Sequence, residues 1–158
     1  MKVERRSYPR FKVRTDAFAV LEADPVQIVP IVDVSLGGIA VYHPIGELWP
    51  QGISRLEIMV ADCSFFMQKV PFEMAGITNV FQSHTIESIR KKRYGIKFGK
   101  LVASQRKQIK HFIRYYAGNG LAHQIINRFQ KIFNHNRSSK YAKDKCDIVW
   151  NNYQHPMM

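Results

Sequence analysis

The chain has 158 residues, 46% of them hydrophobic and 23% charged, which suits one globular domain with a real core and a small appendage. No run approaches the ~18 apolar residues of a membrane span, and Met1-Lys2-Val3-Glu4-Arg5-Arg6 has no apolar segment after its charges, so a secretory signal is not expected. The formal net charge is +12 and uneven: residues 1–99 hold 13 Lys or Arg against 10 acids, residues 100–158 hold 11 against Asp144 and Asp147 alone. Such asymmetry implies a solvated tail or an anionic partner.

Taken in chain order, the first hundred residues speak mostly β. Alternation starts at Phe11-Lys12-Val13-Arg14 and continues through Ala17–Leu21, with Lys12 and Arg14 on a solvated face. Ala23-Asp24-Pro25 is a turn signal before the next run, Gln27–Val34, in which Pro30 predicts an edge, a bulge or a break. Gly37-Gly38 turns the chain into Ile39–Tyr42, and Pro44, Gly46, Pro50 and Gly52 mark a long loop. Leu56, Ile58 and Val60 alternate, as do Val70, Phe72 and Met74; Ile77–Phe81 and Tyr94–Phe98 complete six or seven short strands. Phe65, Phe66, Phe72, Phe81 and Phe98 are expected in the core. The whole reads as a small antiparallel barrel or sandwich.

After Gly99 the period becomes helical. Ile109, Phe112, Ile113 and Tyr116 share a face, Ser104 is the expected N-cap, and Gly118-Asn119-Gly120 stops the helix. Leu121, Ile125, Phe129, Ile132 and Phe133 repeat at the spacing of a second amphipathic helix. From Asn134 the chain is polar and basic as far as Ile148-Val149-Trp150, and no structure is assigned to it.

Two short patterns carry the chemistry. Arg6-x-x-x-Arg10, in Arg5-Arg6-Ser7-Tyr8-Pro9-Arg10, places two arginines four residues apart on an N-terminal arm. Asp33-x-Ser35-x-x-Gly38 makes a compact polar turn. Asp33 can accept from a base edge, Ser35 can donate to a phosphate, and Gly37 and Gly38 allow backbone N–H groups to approach. An arginine fork fits phosphate oxygens or the O6 and N7 of guanine. The plainer reading of each pattern is a basic tail and an Asx-turn between strands. The two together, in this order and in this strand context, favour a site.

Arg6-x-x-x-Arg10 followed by Asp33-x-Ser35-x-x-Gly38 resembles the signature of PilZ domains, bacterial receptors for cyclic di-GMP. Arg93-Tyr94-Gly95-Ile96-Lys97-Phe98 is similar to that family's last barrel strand, and Ser104–Ala117 sits where its C-terminal helix lies. The resemblance spans roughly residues 4–117. It implies a mainly β fold, a six- or seven-stranded antiparallel PilZ-type β-barrel followed by C-terminal α-helices. The expected division is residues 1–117 as the barrel with its arginine arm and helix, and 118–158 as a basic helical or flexible extension. It implies cyclic di-GMP as the ligand, held by Arg6, Arg10, Asp33, Ser35 and Gly38, with Arg5 and Gly37 as secondary contacts. The arm would order on binding and signal to an unidentified protein effector, with the C-terminal helices available for homo-oligomerisation.

Other chemistry is poorly represented. His43, His84, His111, His123, His135 and His155 form no i, i+4 pair, and no metal site is expected. There is no phosphate loop and no nucleophile elbow, and Asp16, Glu22, Asp24, Glu47 and Glu57 read as ordinary strand or turn acids, so the chain is not expected to be an enzyme. Cys63 and Cys146 lie far apart without metal-ligand spacing and are simplest as thiols in a reducing cytoplasm. Two other readings stay open. One is a small barrel that binds nucleic acid through the basic tail; the other is an adaptor that docks a partner through Leu121–Phe133.

Overall fold

The computed structural model describes residues 7–14, 16–80 and 91–118, together with Asp144 and Asp147. They form seven strands and a helix: β1 (Phe11–Lys12), β2 (Ala17–Leu21), β3 (Gln27–Ser35), β4 (Gly38–Pro44), β5 (Arg55–Val60), β6 (Phe66–Val80), β7 (Lys91–Phe98) and α1 (Ala103–Tyr116). All pairings are antiparallel. The sheet runs β2-β5-β6-β7-β4-β3 and returns to β2, closing a six-stranded barrel. Closure removes the exposed edges that an open sheet of this size would carry.

Period-two alternation decides what fills the barrel. Ala17, Ala19 and Leu21 of β2, Leu56, Ile58 and Val60 of β5, and Tyr94, Ile96 and Phe98 of β7 all join one buried cluster. Ile109, Phe112 and Tyr116 of α1 join the same cluster, so the helix plugs the barrel rather than lying on its outer wall. Burying a side chain such as Leu56 or Ile58 contributes about 1.5–3 kcal/mol. His43 is buried as well. Its ring lies 5.7 Å from those of Trp49 and Tyr94, and its Nε2 shares a 3.0 Å hydrogen bond with the Gln27 side-chain amide.

Strand β1 lies against the part of β3 that β2 has left. β2 pairs with Gln27–Pro30, while Phe11 and Lys12 stand opposite Val34 and Asp33. The chain then bonds to the end of α1: Val13 bridges Ala117, the Arg14 N–H donates to the Tyr116 carbonyl, and the Gly118 N–H donates to the Lys12 carbonyl. The arm and the end of the helix are therefore one hydrogen-bonded unit.

Several expectations are corrected. Of the edge, bulge or break expected at Pro30, β3 carries a bulge just after it, between Ile31 and Asp33 on the β4 side, while Pro30 itself sits within the strand opposite Phe18. The two strands expected around Val70–Met74 and Ile77–Phe81 are one 15-residue strand, because a bulge between Met74 and Gly76 absorbs the apparent interruption. The helix N-cap is Val102 rather than Ser104, and its N–H donates to the Gln105 side chain at 3.2 Å. Phe66 lies outside the core cluster, in a second one with Val20 and Met59. Cys63, expected as a thiol, is disulfide-bonded, and no free cysteine occurs among the described residues. Phe81 and the expected helix over 121–133 lie outside the described residues. No described helix is long and apolar enough to cross a membrane.

Candidate functional site

The site grows out of the hairpin joining β3 to β4. Ser35 pairs with Gly38 across the two-residue turn Leu36-Gly37. The Ser35 hydroxyl closes that turn on itself: it accepts from the Gly37 N–H at 3.2 Å and donates to the Gly38 carbonyl at 3.3 Å. Ser35 is buried, so its first role is to hold the loop.

Gly38 is required by close approach to the neighbouring strand. A Cβ there would lie 2.0 Å from the carbonyl oxygen of Ile96 on β7, which no side chain can satisfy. The tight seam presses the turn onto β7, and the Phe98 N–H donates to the Gly37 carbonyl at 2.9 Å. Gly37 faces the arm instead: a Cβ would meet the Tyr8 ring at 3.0 Å. Neither glycine needs a left-handed backbone.

Asp33 is the electrostatic centre. It points out of the barrel wall and keeps 16% side-chain exposure between two arginines. The Arg93 guanidinium donates to one carboxylate oxygen at 2.5 Å, and Arg10 lies 3.8 Å from the other. Arg93 comes from β7, directly opposite Tyr42 and Thr78. Arg10 comes from the arm, set by the Lys12–Asp33 pairing two residues later. Both arginine side chains stay partly exposed, at 38% for Arg10 and 25% for Arg93, and the five N–H donors of each guanidinium exceed what Asp33 can accept, leaving some for an anion.

The wall around them is shaped for a flat ligand. On the outer face, Asp33, Ala40, Gly95 and Gly76 follow one another across β3, β4, β7 and β6. The row is small beyond its carboxylate. Larger side chains flank it, Tyr42, Arg93 and Thr78 on one side and Lys97 with Glu73 on the other. Lys91 adds a cation 5.9 Å from the Tyr42 ring centroid. The result is a shallow basic trough with Asp33 at its centre and Glu73 at its rim beside Lys97, suited to phosphates and to a base edge that donates.

The structure thus brings Arg10, Asp33, Ser35, Gly37 and Gly38 together; Arg5 and Arg6 lie outside the described residues. Sequence reasoning missed Arg93 and Tyr8 as members of the site. Arg93 could have been found from strand parity, since Tyr94 and Ile96 face inward and Arg93 must face out beside Gly95. Tyr8 lay inside the arginine pair and carried no signal of its own. Among the described residues, no group of three or more His, Cys, Asp or Glu could hold a metal ion.

Comparison with known proteins agrees with this geometry. A family model described as "PilZ domain" matches residues 4–115. The PilZ domain of YcgR from Escherichia coli, solved with c-di-GMP, superposes with a TM-score of 0.59 at 15% identity, covering 70% of this chain and 89% of that one. The MrkH–c-di-GMP complex from K. pneumonia gives 0.58 at 18% identity, covering 70% and 51%. A longer YcgR structure from Escherichia coli, in complex with c-di-GMP, gives 0.55 at 16% identity, covering 81% and 50%. This chain matches about half the length of these last two. A search of curated proteins found no match.

Proposed function

The chain belongs to the PilZ domain family, and from that premise we propose that it is a cyclic di-GMP receptor, a binding protein rather than an enzyme. The observation that carries the proposal is the convergence of Arg10 and Arg93 on Asp33 beside the Ser35–Gly38 hairpin. Arg10, with Arg6 ahead of it, takes phosphate and guanine acceptors through its free N–H groups. Asp33 accepts from the guanine N–H edge, and Arg93 holds its carboxylate in place. Ser35 keeps the hairpin rigid and can offer its hydroxyl to a phosphate. Gly37 and Gly38 leave the turn without side chains, and Arg5 supplies a further cation.

The conformational part follows from the joint between arm and helix. β1 bonds to β3 at Asp33 on one side and, through Val13, to Ala117 at the end of α1. A ligand that draws Arg10 toward the hairpin therefore pulls on the point where the barrel, residues 1–117, hands over to the extension, 118–158. That joint supports signalling to a protein effector, or to a second copy, through the extension. A nucleotide second messenger as ligand favours the cytoplasm, whereas a disulfide-bonded Cys63 gives no support to a reducing compartment.

The test is calorimetric titration of cyclic di-GMP into wild type and Arg10→Ala, with GTP as control. Selective binding that weakens about 10–100-fold in Arg10→Ala supports the reading. A folded wild type that takes up no cyclic di-GMP overturns it.

A further inference from the structure

The wall opposite the trough is apolar on its outer side. Cross-strand pairing sets Pro30, Phe18, Met59 and Phe66 in one row and Ile28, Val20 and Glu57 in the next. A barrel wall is one layer thick, so residues alternating with the core should meet solvent. Here they do not: Val20 is 1% exposed, Met59 0% and Glu57 1%. Phe18, Glu57, Cys63 and Phe66 each have a bonding or ring-contact partner. The buried residues of α1 belong to the core cluster, so the helix is not what covers this wall.

Cys63 identifies the occupant. It follows β5 in the turn before β6, packs against the Val20–Met59 cluster, and is disulfide-bonded. The chain has one other cysteine, Cys146. Asp144 and Asp147 have helical backbone and are exposed. Ile148-Val149-Trp150 follows Cys146 by two to four residues, a reach of at most about 14 Å from that cysteine. Residues 119–158 carry six Lys or Arg against Asp144 and Asp147 alone, while the wall buries an acid, Glu57.

We propose that the outer wall of β3, β2, β5 and β6 is the docking face for this chain's own C-terminal segment, residues 119–158, pinned there by a Cys63–Cys146 disulfide. Apolar side chains of the segment cover Phe18, Val20, Met59 and Phe66, and its cations face Glu57. The segment is then a latched element that reduction releases: dithiothreitol delivers two electrons and two protons, the bond becomes two thiols, and dithiothreitol leaves as its cyclic disulfide. The latch does not depend on the nucleotide reading.

The full chain, purified without reductant, is digested under non-reducing conditions and its linked peptides are identified by mass spectrometry. In parallel, native-state trypsin cleavage after Arg137, Lys140 and Lys143 is timed in wild type, in wild type with dithiothreitol, and in Phe66→Asp, with circular dichroism as the fold control. The expected result is a Cys63–Cys146 peptide from monomeric chain, with cleavage on the order of tenfold faster after reduction or in Phe66→Asp. Reduction needs no substitution, so the test stands even if Phe66→Asp fails to fold. A covalent dimer, or tail cleavage equally fast before and after reduction, overturns the proposal.

Discussion

The two outer faces of this barrel share one closed sheet and one core, yet they have opposite chemistry. The β3–β4–β7 face carries Asp33, Arg93 and Lys97 around the small residues Ala40 and Gly95; the β2–β5–β6 face carries Phe18, Val20, Met59 and Phe66. Inward positions are interchangeable in kind, aliphatic or aromatic on every strand. The difference teaches that this fold is specified from the inside and its interactions are specified from the outside. A polar face is available to a small charged ligand. An apolar one must be covered by chain.

The largest expected effect breaks the apolar face. Met59→Asp places a carboxylate at a fully buried position and should cost about 4 kcal/mol or more in urea unfolding, whereas Lys97→Met, exposed on the polar face, should stay within about 0.5 kcal/mol. Equal costs would erase the distinction. Next comes the seam under the hairpin. Gly38→Ala must push β4 from β7, because the obstructing Ile96 carbonyl is backbone; about 2–4 kcal/mol of stability should go, and nucleotide binding with it.

A smaller effect sharpens the polar face itself. Arg93→Ala removes the 2.5 Å partner of Asp33 and should weaken cyclic di-GMP affinity about tenfold by calorimetry, with little loss of melting temperature. If affinity is unchanged, Arg93 belongs to the wall and not to the site. The smallest concerns His111 on α1. Burial, and then the nearby Arg114, lower its pKa below the ordinary 6.5. The unfolded chain therefore takes up the proton first, so this contribution to stability is complete above pH 6.5 and is lost as pH falls below it. His111→Gln should flatten the melting temperature between pH 7 and 5; an unchanged slope would assign the acid sensitivity elsewhere.

Much of this was legible in the sequence because strand parity and turn chemistry are local. The alternation of Leu56, Ile58 and Val60 is a direct record of which side faces the core, and Asp33–Gly38 announced a tight polar turn. What was not legible depends on partners distant in the chain. Gly38 looked like a ligand-binding glycine because nothing nearby reveals the Ile96 carbonyl, 58 residues on. Arg93 was read as part of a strand motif, since only the β4–β7 register carries it to Asp33. Ala75-Gly76 looked like the gap between two strands, because bulges and breaks have the same composition. Ser104 has the better capping side chain, but Gln105 satisfies the first N–H from inside the helix and moves the start forward to Val102.

The bulge in β3 has one more consequence. Val29 and Ile31 point inward, and so does Val34; two residues, Val32 and Asp33, separate the last pair where strict alternation allows one. The extra residue acts as a frameshift in the strand's count. Were the bulge straightened with Val32 kept in regular alternation, every side chain from Asp33 to the turn would change sides. Asp33 would enter the hydrocarbon interior and Val34 would emerge beside the arginines. The trough's acid is thus placed less by its own identity than by the bulge that absorbs the residue before it.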